Sequence, residues 1–314
     1  VVVKVVRGLP EAWGLESRPR AVTIGVYDGV HRGHRHVLAT LRRRAGDLGG
    51  IEPAVVTFDP HPLALIAPGK APRMLTTVEH RIALLEEAGI DLVAVLEFSP
   101  SVRDLSPAGF AVRVVDEALS ARVVVVGEDF RFGKDRTGHV GLLRELGAEH
   151  GFETEIVPLV GGAGPVSSTH IRALVAAGDV ASAAEVLGRP HEVRGLVVPG
   201  DGRGRSIGVP TANIAVPDGV AVPGRGVYAV LAAPAGEPLV PGVANVGVRP
   251  TFGGGVETVE VHLLDEDRDL YGLQVRLAFV ERIRDERRFA GVEELVAQIA
   301  EDIRQARNLL ASSG

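Results

Sequence analysis

Ala21-Val22-Thr23-Ile24-Gly25-Val26-Tyr27-Asp28-Gly29-Val30-His31-Arg32-Gly33-His34 decides the fold of the first half of the chain. An apolar, β-branched run, Ala21–Val26, breaks at a glycine-containing turn and passes into helix-compatible sequence over His34–Asp47. That order opens a βαβ unit. Outward from it, strand-like runs at Ala54–Phe58, Leu92–Phe98, Arg122–Val126 and Thr154–Pro158 alternate with helical patterns at Val78–Ala88, Pro107–Leu119 and Gly138–His150. The alternation predicts a parallel, doubly wound sheet of Rossmann-like α/β class, with ligands beyond the carboxyl ends of its strands. The Asp28–His34 turn falls at that edge.

The texture then changes. Ser168–Ala177 and Val180–Leu187 read as two short helices, and Gly188-Arg189-Pro190 punctuates the chain after them. Strand-like segments follow without intervening helices: Val193–Val198, Gly226–Ala232, Val240–Val246, Thr258–Leu264 and Gln274–Val280, separated by Gly/Pro-rich turns. They predict a small antiparallel β-barrel. A closing helix carries Leu295, Ile299, Ile303, Ala306 and Leu310 on one face. The expected domains are residues 1–186 and 187–314.

A chain of 314 residues with 46% hydrophobic content has material for two buried cores. Its net charge of −6 argues against a nucleic-acid partner, which needs a basic face. The absence of cysteine excludes disulfides and thiolate chemistry and fits a reducing cytoplasm. Val1–Val6 is apolar but broken by Lys4, and no stretch approaches the roughly 18 apolar residues of a membrane span. The expectation is a cytoplasmic protein without a membrane partner; a homo-oligomer stays open. Of 34 basic residues only Lys4, Lys70 and Lys134 are lysine, so an arginine needs a motif around it before it reads as a ligand.

Two segments carry that kind of motif. His31 and His34, three apart, face one side of a helix that begins near Arg32, where free backbone N–H groups attract phosphate. They lack a carboxylate or thiolate partner for a metal site. The second segment is Gly200-Asp201-Gly202-Arg203-Gly204-Arg205 running into Gly208-Val209-Pro210-Thr211-Ala212-Asn213. It lacks the Lys-Ser/Thr ending of a P-loop, and strand-like residues follow it where a dinucleotide fingerprint needs a helix. Thr211 and Asn213 point the same way on an extended segment, and their side-chain oxygens suit Mg2+.

Thr23–His34, Phe58-Asp59-Pro60-His61-Pro62, Gly127-Glu128-Asp129-Phe130-Arg131-Phe132-Gly133 and Ser167-Ser168-Thr169-His170-Ile171-Arg172 resemble, in this order, the motif set of the bacterial bifunctional riboflavin kinase/FAD synthetases. The second half continues the resemblance with Pro210-Thr211-Ala212-Asn213, Asn245-Val246-Gly247, Glu260-Val261-His262-Leu263-Leu264-Asp265 and Arg284-Asp285-Glu286. The departures are Tyr27 where Phe is commoner, Asp129 where Asn is frequent, and Glu266 where Phe is usual.

The resemblance implies two ATP-dependent steps: riboflavin to FMN and ADP in the barrel, then FMN to FAD and pyrophosphate in the first domain, with Mg2+ serving both. It implies catalytic roles for His31, His34 and Glu260. Gly25, Asp28, Gly33, Ser168, Thr169, Arg172, Gly202, Gly204, Arg205 and Gly208 would contact ATP or its phosphates. Phe58, Asp129, Phe130, Arg284 and Glu286 would contact flavin, and Thr211 and Asn213 the metal. Glu260 is expected to reach the barrel mouth as general base, while Glu257, three residues away, should face the other side. Two alternatives stand beside this reading. One is an adenylyltransferase whose barrel is a non-catalytic flavin-binding module; the other is a flavin sensor without ATP turnover.

Overall fold

The computed structural model describes residues 2–158, 166–200, 204, 208–251, 254–266 and 268–311, with backbone alone at 249–251 and 254–256. The chain divides into two compact units, Val1–Pro72 with Val78–Val166, and Arg73–Thr77 with Ser167–Gly314.

The first unit is built on a parallel sheet of six strands: β1 (Lys4–Gly8), β2 (Arg20–Ile24), β3 (Glu52–Asp59), β4 (Leu92–Glu97), β5 (Ala121–Gly127) and, after a two-stranded ribbon of β6 (Arg131–Phe132) and β7 (Gly138–His139), β8 (Glu153–Val157). Their order is β1-β4-β3-β2-β5-β8. The strands are nearly continuous hydrophobic runs because both faces are covered. Ile24, Val56, Val124 and Val126 meet Phe110, Val114 and Leu143 on one face. Val55, Val93, Val123 and Val125 meet Leu38, Leu41, Leu84 and Leu85 on the other. The chain passes from β2 to β3 on one side and reaches β5 on the other, so a crevice opens at the carboxyl ends of β2 and β5.

Three local features differ from the sequence reading. Lys4–Gly8 is an edge strand beside β4, although its short, half-exposed pattern reads as an interrupted apolar run. The helix expected over Pro107–Leu119 is α-helical for Pro107–Phe110 and π-helical over Ala111–Ala118. The helix expected from Gly138 begins at Val140, because Gly138 and His139 pair with β6 and the His139 imidazole caps the helix.

The second unit is a closed antiparallel barrel of β9 (His191–Val198), β10 (Ala212–Ala215), β11 (Gly226–Pro234), β12 (Val240–Thr251), β13 (Gly254–Leu263) and β14 (Gln274–Arg284), in the order β10-β13-β12-β11-β14-β9. Alternate residues fill it, among them Val193, Val197, Ile214, Tyr228, Val230, Val246, Val259, Val261, Leu277 and Phe279. The helices Ser168–Ala177 and Val180–Leu187 lie in this unit, one side of the boundary over from the sequence expectation. Ile171, Val175, Ala183 and Leu187 pack against Leu75 and Ala221, and Val180 joins the barrel core. The terminal helix Val292–Ala311 is anchored less by its half-buried leucines and isoleucines than by Asp302, 2% exposed. Arg284 grips both oxygens of that carboxylate at 2.9 and 2.7 Å, and Gln298 donates to it at 2.8 Å.

Candidate active sites

At the carboxyl end of β2 the backbone turns sharply. Tyr27, Gly29 and Val30 all have positive φ, at 53°, 79° and 40°. Left-handed backbone costs about 1–2 kcal/mol for a residue with a Cβ, and more for a β-branched one. The turn persists because it is locked: Tyr27, Asp28 and Val30 are buried, Val30 N–H bonds to the Tyr27 carbonyl at 3.1 Å, and the Tyr27 and Thr23 hydroxyls lie 2.6 Å apart. Burial pushes the Tyr27 hydroxyl further above its ordinary range, so it stays protonated. Gly25 lets the Tyr27 ring lie against the backbone, 3.1 Å from where a Cβ would stand.

The turn delivers His31 to the N-cap of the helix Arg32–Asp47, where its Nδ1 accepts the His34 N–H at 3.3 Å. The His31 and His34 rings stack at 3.6 Å between centroids, and Tyr27 leans on His34 at 4.9 Å. The sequence expectation of two imidazoles on one side of a helix N-terminus is met. Gly33 permits it, since a Cβ there would stand 3.3 Å from His31 ring atoms. Burial first, then the neighbouring His31 and Arg81, holds the His34 imidazole well below its usual value near 6.5. His34 is therefore neutral at pH 7.

That depression has a stability consequence. Below pH 6.5 the unfolded chain protonates His34 while the folded one does not, so stability present above that pH is lost as pH falls toward the lower folded value. The slope contributed is at most about 1.4 kcal/mol per pH unit. Trp13, the chain's one tryptophan and 5% exposed in the first unit, reports it. Urea unfolding followed by Trp13 fluorescence should weaken from pH 7 to 5.5 in the unaltered protein and less so in His34→Asn. Identical slopes would refute the depressed titration of His34.

The other expected residues of this site divide. Phe58, at the end of β3, packs edge-on to Phe98 at 5.9 Å. Phe130, just past β5, stacks on Phe132 at 5.4 Å, and Asp129 beside it is exposed. Phe58, Phe130 and Asp129 belong to segments at the carboxyl edge of the sheet. Ser168, Thr169 and Arg172 occupy the first turns of the helix Ser168–Ala177, capped by Ser167 Oγ accepting the His170 N–H at 3.2 Å, and they belong to the second unit.

The barrel's polar site is a row across three strands. Asn213 on β10 is in register with Glu260 on β13, which is in register with Asn245 on β12. Val259 and Val261, flanking Glu260, belong to the barrel core, so by alternation Glu260 stands on the outer face. Glu257 has the opposite parity, as expected, and pairs with Arg73. Asn245, quoted above within a motif but given no role, is brought into this row by its strand register.

Thr211 immediately precedes β10, two residues before Asn213. The His262 Nδ1 donates to the Pro210 carbonyl at 2.8 Å, fixing the residue before Thr211. Two glycines fit closely here. A Cβ on Gly200 would overlap the Asn213 amide, and one on Gly204 would stand 3.1 Å from Thr211 Oγ1. Gly208 has φ 79°. Gly202 and Arg205 lie outside the described residues. Glu286 approaches Gly247 so closely that a Cβ there would stand 2.5 Å from its carboxylate. Arg284, expected at the flavin, is committed to Asp302, with its guanidinium 5.7 Å from the Phe289 ring. Beside Thr211 lies a cavity of about 460 Å3, walled by Val197, Ala212, Val261, Leu263, Leu270 and Tyr271. Among the described residues no group of three His, Cys, Asp or Glu side chains is set to hold a metal.

Comparison with known proteins places both sites in one context. Residues 15–170 match the family model of FAD synthetase, and residues 187–310 that of riboflavin kinase. The chain is 40% identical over 97% of both chains to a bifunctional riboflavin kinase/FMN adenylyltransferase of Escherichia coli, and 41% identical over 99% of both to one from Pseudomonas fluorescens. A Bacillus subtilis protein of that name is 35% identical over 93% of this chain and 92% of its own. A solved structure described as a macrolide-efflux protein from Streptococcus pneumoniae is similar at a TM-score of 0.88 and 30% identity, covering 98% of this chain and 99% of that one. Among the described residues no helix is long and apolar enough to cross a membrane.

Proposed function

The chain belongs to the bifunctional riboflavin kinase/FMN adenylyltransferase family and catalyses both steps, riboflavin to FMN and FMN to FAD; on that premise we propose which residues carry each. FMN adenylylation is assigned to residues 1–186 and riboflavin phosphorylation to 187–314, in support of which the two family models cover 15–170 and 187–310. The observation that carries the assignment is that His31 and His34 stack at a helix N-terminus in the α/β unit, whereas Asn213, Glu260 and Asn245 stand in register across the barrel.

In adenylyl transfer the FMN phosphate attacks the α-phosphorus of ATP and pyrophosphate leaves. The nucleophile is already ionised, so alignment and charge stabilisation suffice. His31 and His34, at a helix N-terminus, offer N–H donors to oxygens that gain charge. Gly25, Asp28 and Gly33 shape the turn that presents them. The family pattern gives Ser168, Thr169 and Arg172 the leaving pyrophosphate, and an N-terminal helical turn suits that anion. Phe58, Phe130 and Asp129 take the flavin.

In the kinase the riboflavin 5′-hydroxyl attacks the γ-phosphorus and ADP leaves, so a proton must be accepted. Glu260 accepts it. Thr211 and Asn213 are hard oxygen donors beside a glycine-lined approach, and they fit Mg2+. When bound, Mg2+ supplies counter-charge to the triphosphate. The cavity beside Thr211, lined by Val197, Val261, Leu263, Leu270 and Tyr271 together with the charged Glu266, Arg268 and Asp269, takes the purine. Glu286 faces the flavin side, and Arg284 holds its segment in place through Asp302. We place both activities in the cytoplasm, with riboflavin, FMN and ATP as small-molecule partners.

Purified protein given riboflavin, ATP and Mg2+ should yield FMN, FAD, ADP and pyrophosphate by chromatography. Absence of FMN and ADP would return the barrel to a non-catalytic flavin-binding module. Gly200→Ala, which forces the Asn213 amide aside, should raise the KM for MgATP in the kinase step by about tenfold, an effect near 1.4 kcal/mol. The FAD step in the same sample should be unchanged.

A further inference from the structure

Beneath the His31 turn lies a cation that the reaction as described does not use. Arg81, on the helix Val78–Glu87, is 1% exposed. Its Nη1 donates to Thr57 Oγ1 at 2.9 Å and to the Phe58 carbonyl at 3.2 Å. Thr57, itself 0% exposed, donates its hydroxyl hydrogen to the Val26 carbonyl at 2.9 Å. Val26 is the last residue before the left-handed turn that begins at Tyr27. Two hydrogen bonds in series thus run from the helix, through the end of β3, to the entry of the turn that seats His31.

A buried guanidinium is costly, and a well-packed apolar residue would serve the core at least as well. Its Nε is buried without a hydrogen-bond partner among the described residues. Stability is therefore a poor reason for its presence, whereas a turn with two non-glycine residues at positive φ needs an outside tether.

We propose that Arg81 is a positioning residue for adenylyl transfer, holding the phosphate-binding turn in place through Thr57. The proposal rests on His31 and His34 being the adenylyl-transfer site. That premise has its own test: if it were wrong, His31→Ala would leave FAD formation intact, whatever Arg81 variants do.

The experiment uses the full-length enzyme with Arg81→Met, Arg81→Lys, Thr57→Val and the double variant Arg81→Met/Thr57→Val. FAD formation from FMN is resolved into kcat and KM, riboflavin phosphorylation in the same chain serves as internal control, and Trp13 fluorescence monitors folding of the first unit. Arg81→Met should lower kcat for FAD formation by up to about 100-fold, as misplacement of a catalytic group by an ångström does. KM for FMN should stay close to its original value. Arg81→Lys should recover most of the loss, and Thr57→Val should reproduce part of it. The double variant should be no worse than Arg81→Met, since both cut one relay. Unaltered kcat in Arg81→Met or Thr57→Val, an additive double variant, or an effect confined to KM would overturn the proposal. Should Arg81→Met fail to fold, the isosteric Thr57→Val decides.

Discussion

His31→Ala should lower FAD formation from FMN by about 10²–10³-fold while riboflavin phosphorylation in the same polypeptide continues at its original rate. The magnitude is that of removing one preorganised donor from a site where charge develops in the transition state. The imidazole has two structural duties besides: it caps the helix Arg32–Asp47 through the His34 N–H, and it stacks on His34 at 3.6 Å. Loss of an N-cap costs about 1 kcal/mol, too little to unfold a unit with two full cores and too little to account for three decades in rate. His31→Asn separates the two effects, because asparagine is a good N-cap but cannot place a donor where the imidazole does. It should restore thermal stability, read by Trp13 fluorescence, without restoring FAD formation. Recovery of both by asparagine would reduce His31 to a cap.

The strand–turn–helix signal around His31 was legible because everything that defines it is local. The run of β-branched residues, the glycine turn and the two histidines sit within one window, and the βαβ alternation fixes which end of the sheet they occupy. The barrel was legible for a similar reason, through evenly spaced strands and turn residues. What sequence did not yield depends on contacts between distant segments. Arg81 reads as one more arginine on an amphipathic helix, and its relay to Val26 crosses from one element to two others. The helices Ser168–Ala177 and Val180–Leu187 look like an extension of the α/β half, yet their apolar faces meet Leu75 and Ala221. Arg284 sits in a motif, and only the fold shows its charge spent on Asp302, eighteen residues on. The face on which Glu260 stands needed the register as well. The barrel interior is set by Val259 and Val261, so the neighbour between them must point outward, where Asn213 and Asn245 flank it.

That outward row makes Glu260→Gln the sharpest test of the kinase half. The substitution keeps shape and volume on a strand face between two asparagines, so the β10-β13-β12 pairing has no reason to change. It removes the ability to take a proton from the riboflavin hydroxyl, a contribution of about 10²–10⁴-fold. Supplied with riboflavin and ATP, the variant should make FMN slower by that factor and, lacking FMN, almost no FAD. Supplied with FMN, it should form FAD at the unaltered rate, because attack by the already ionised FMN phosphate on the α-phosphorus needs no base. Glu257→Gln is the matched control: its side chain has the opposite parity and pairs with Arg73, so it should leave both reactions intact. If Glu260→Gln phosphorylated riboflavin normally, or if Glu257→Gln carried the defect, the base would lie elsewhere and the strand-parity argument for the outer-face site would fail with it.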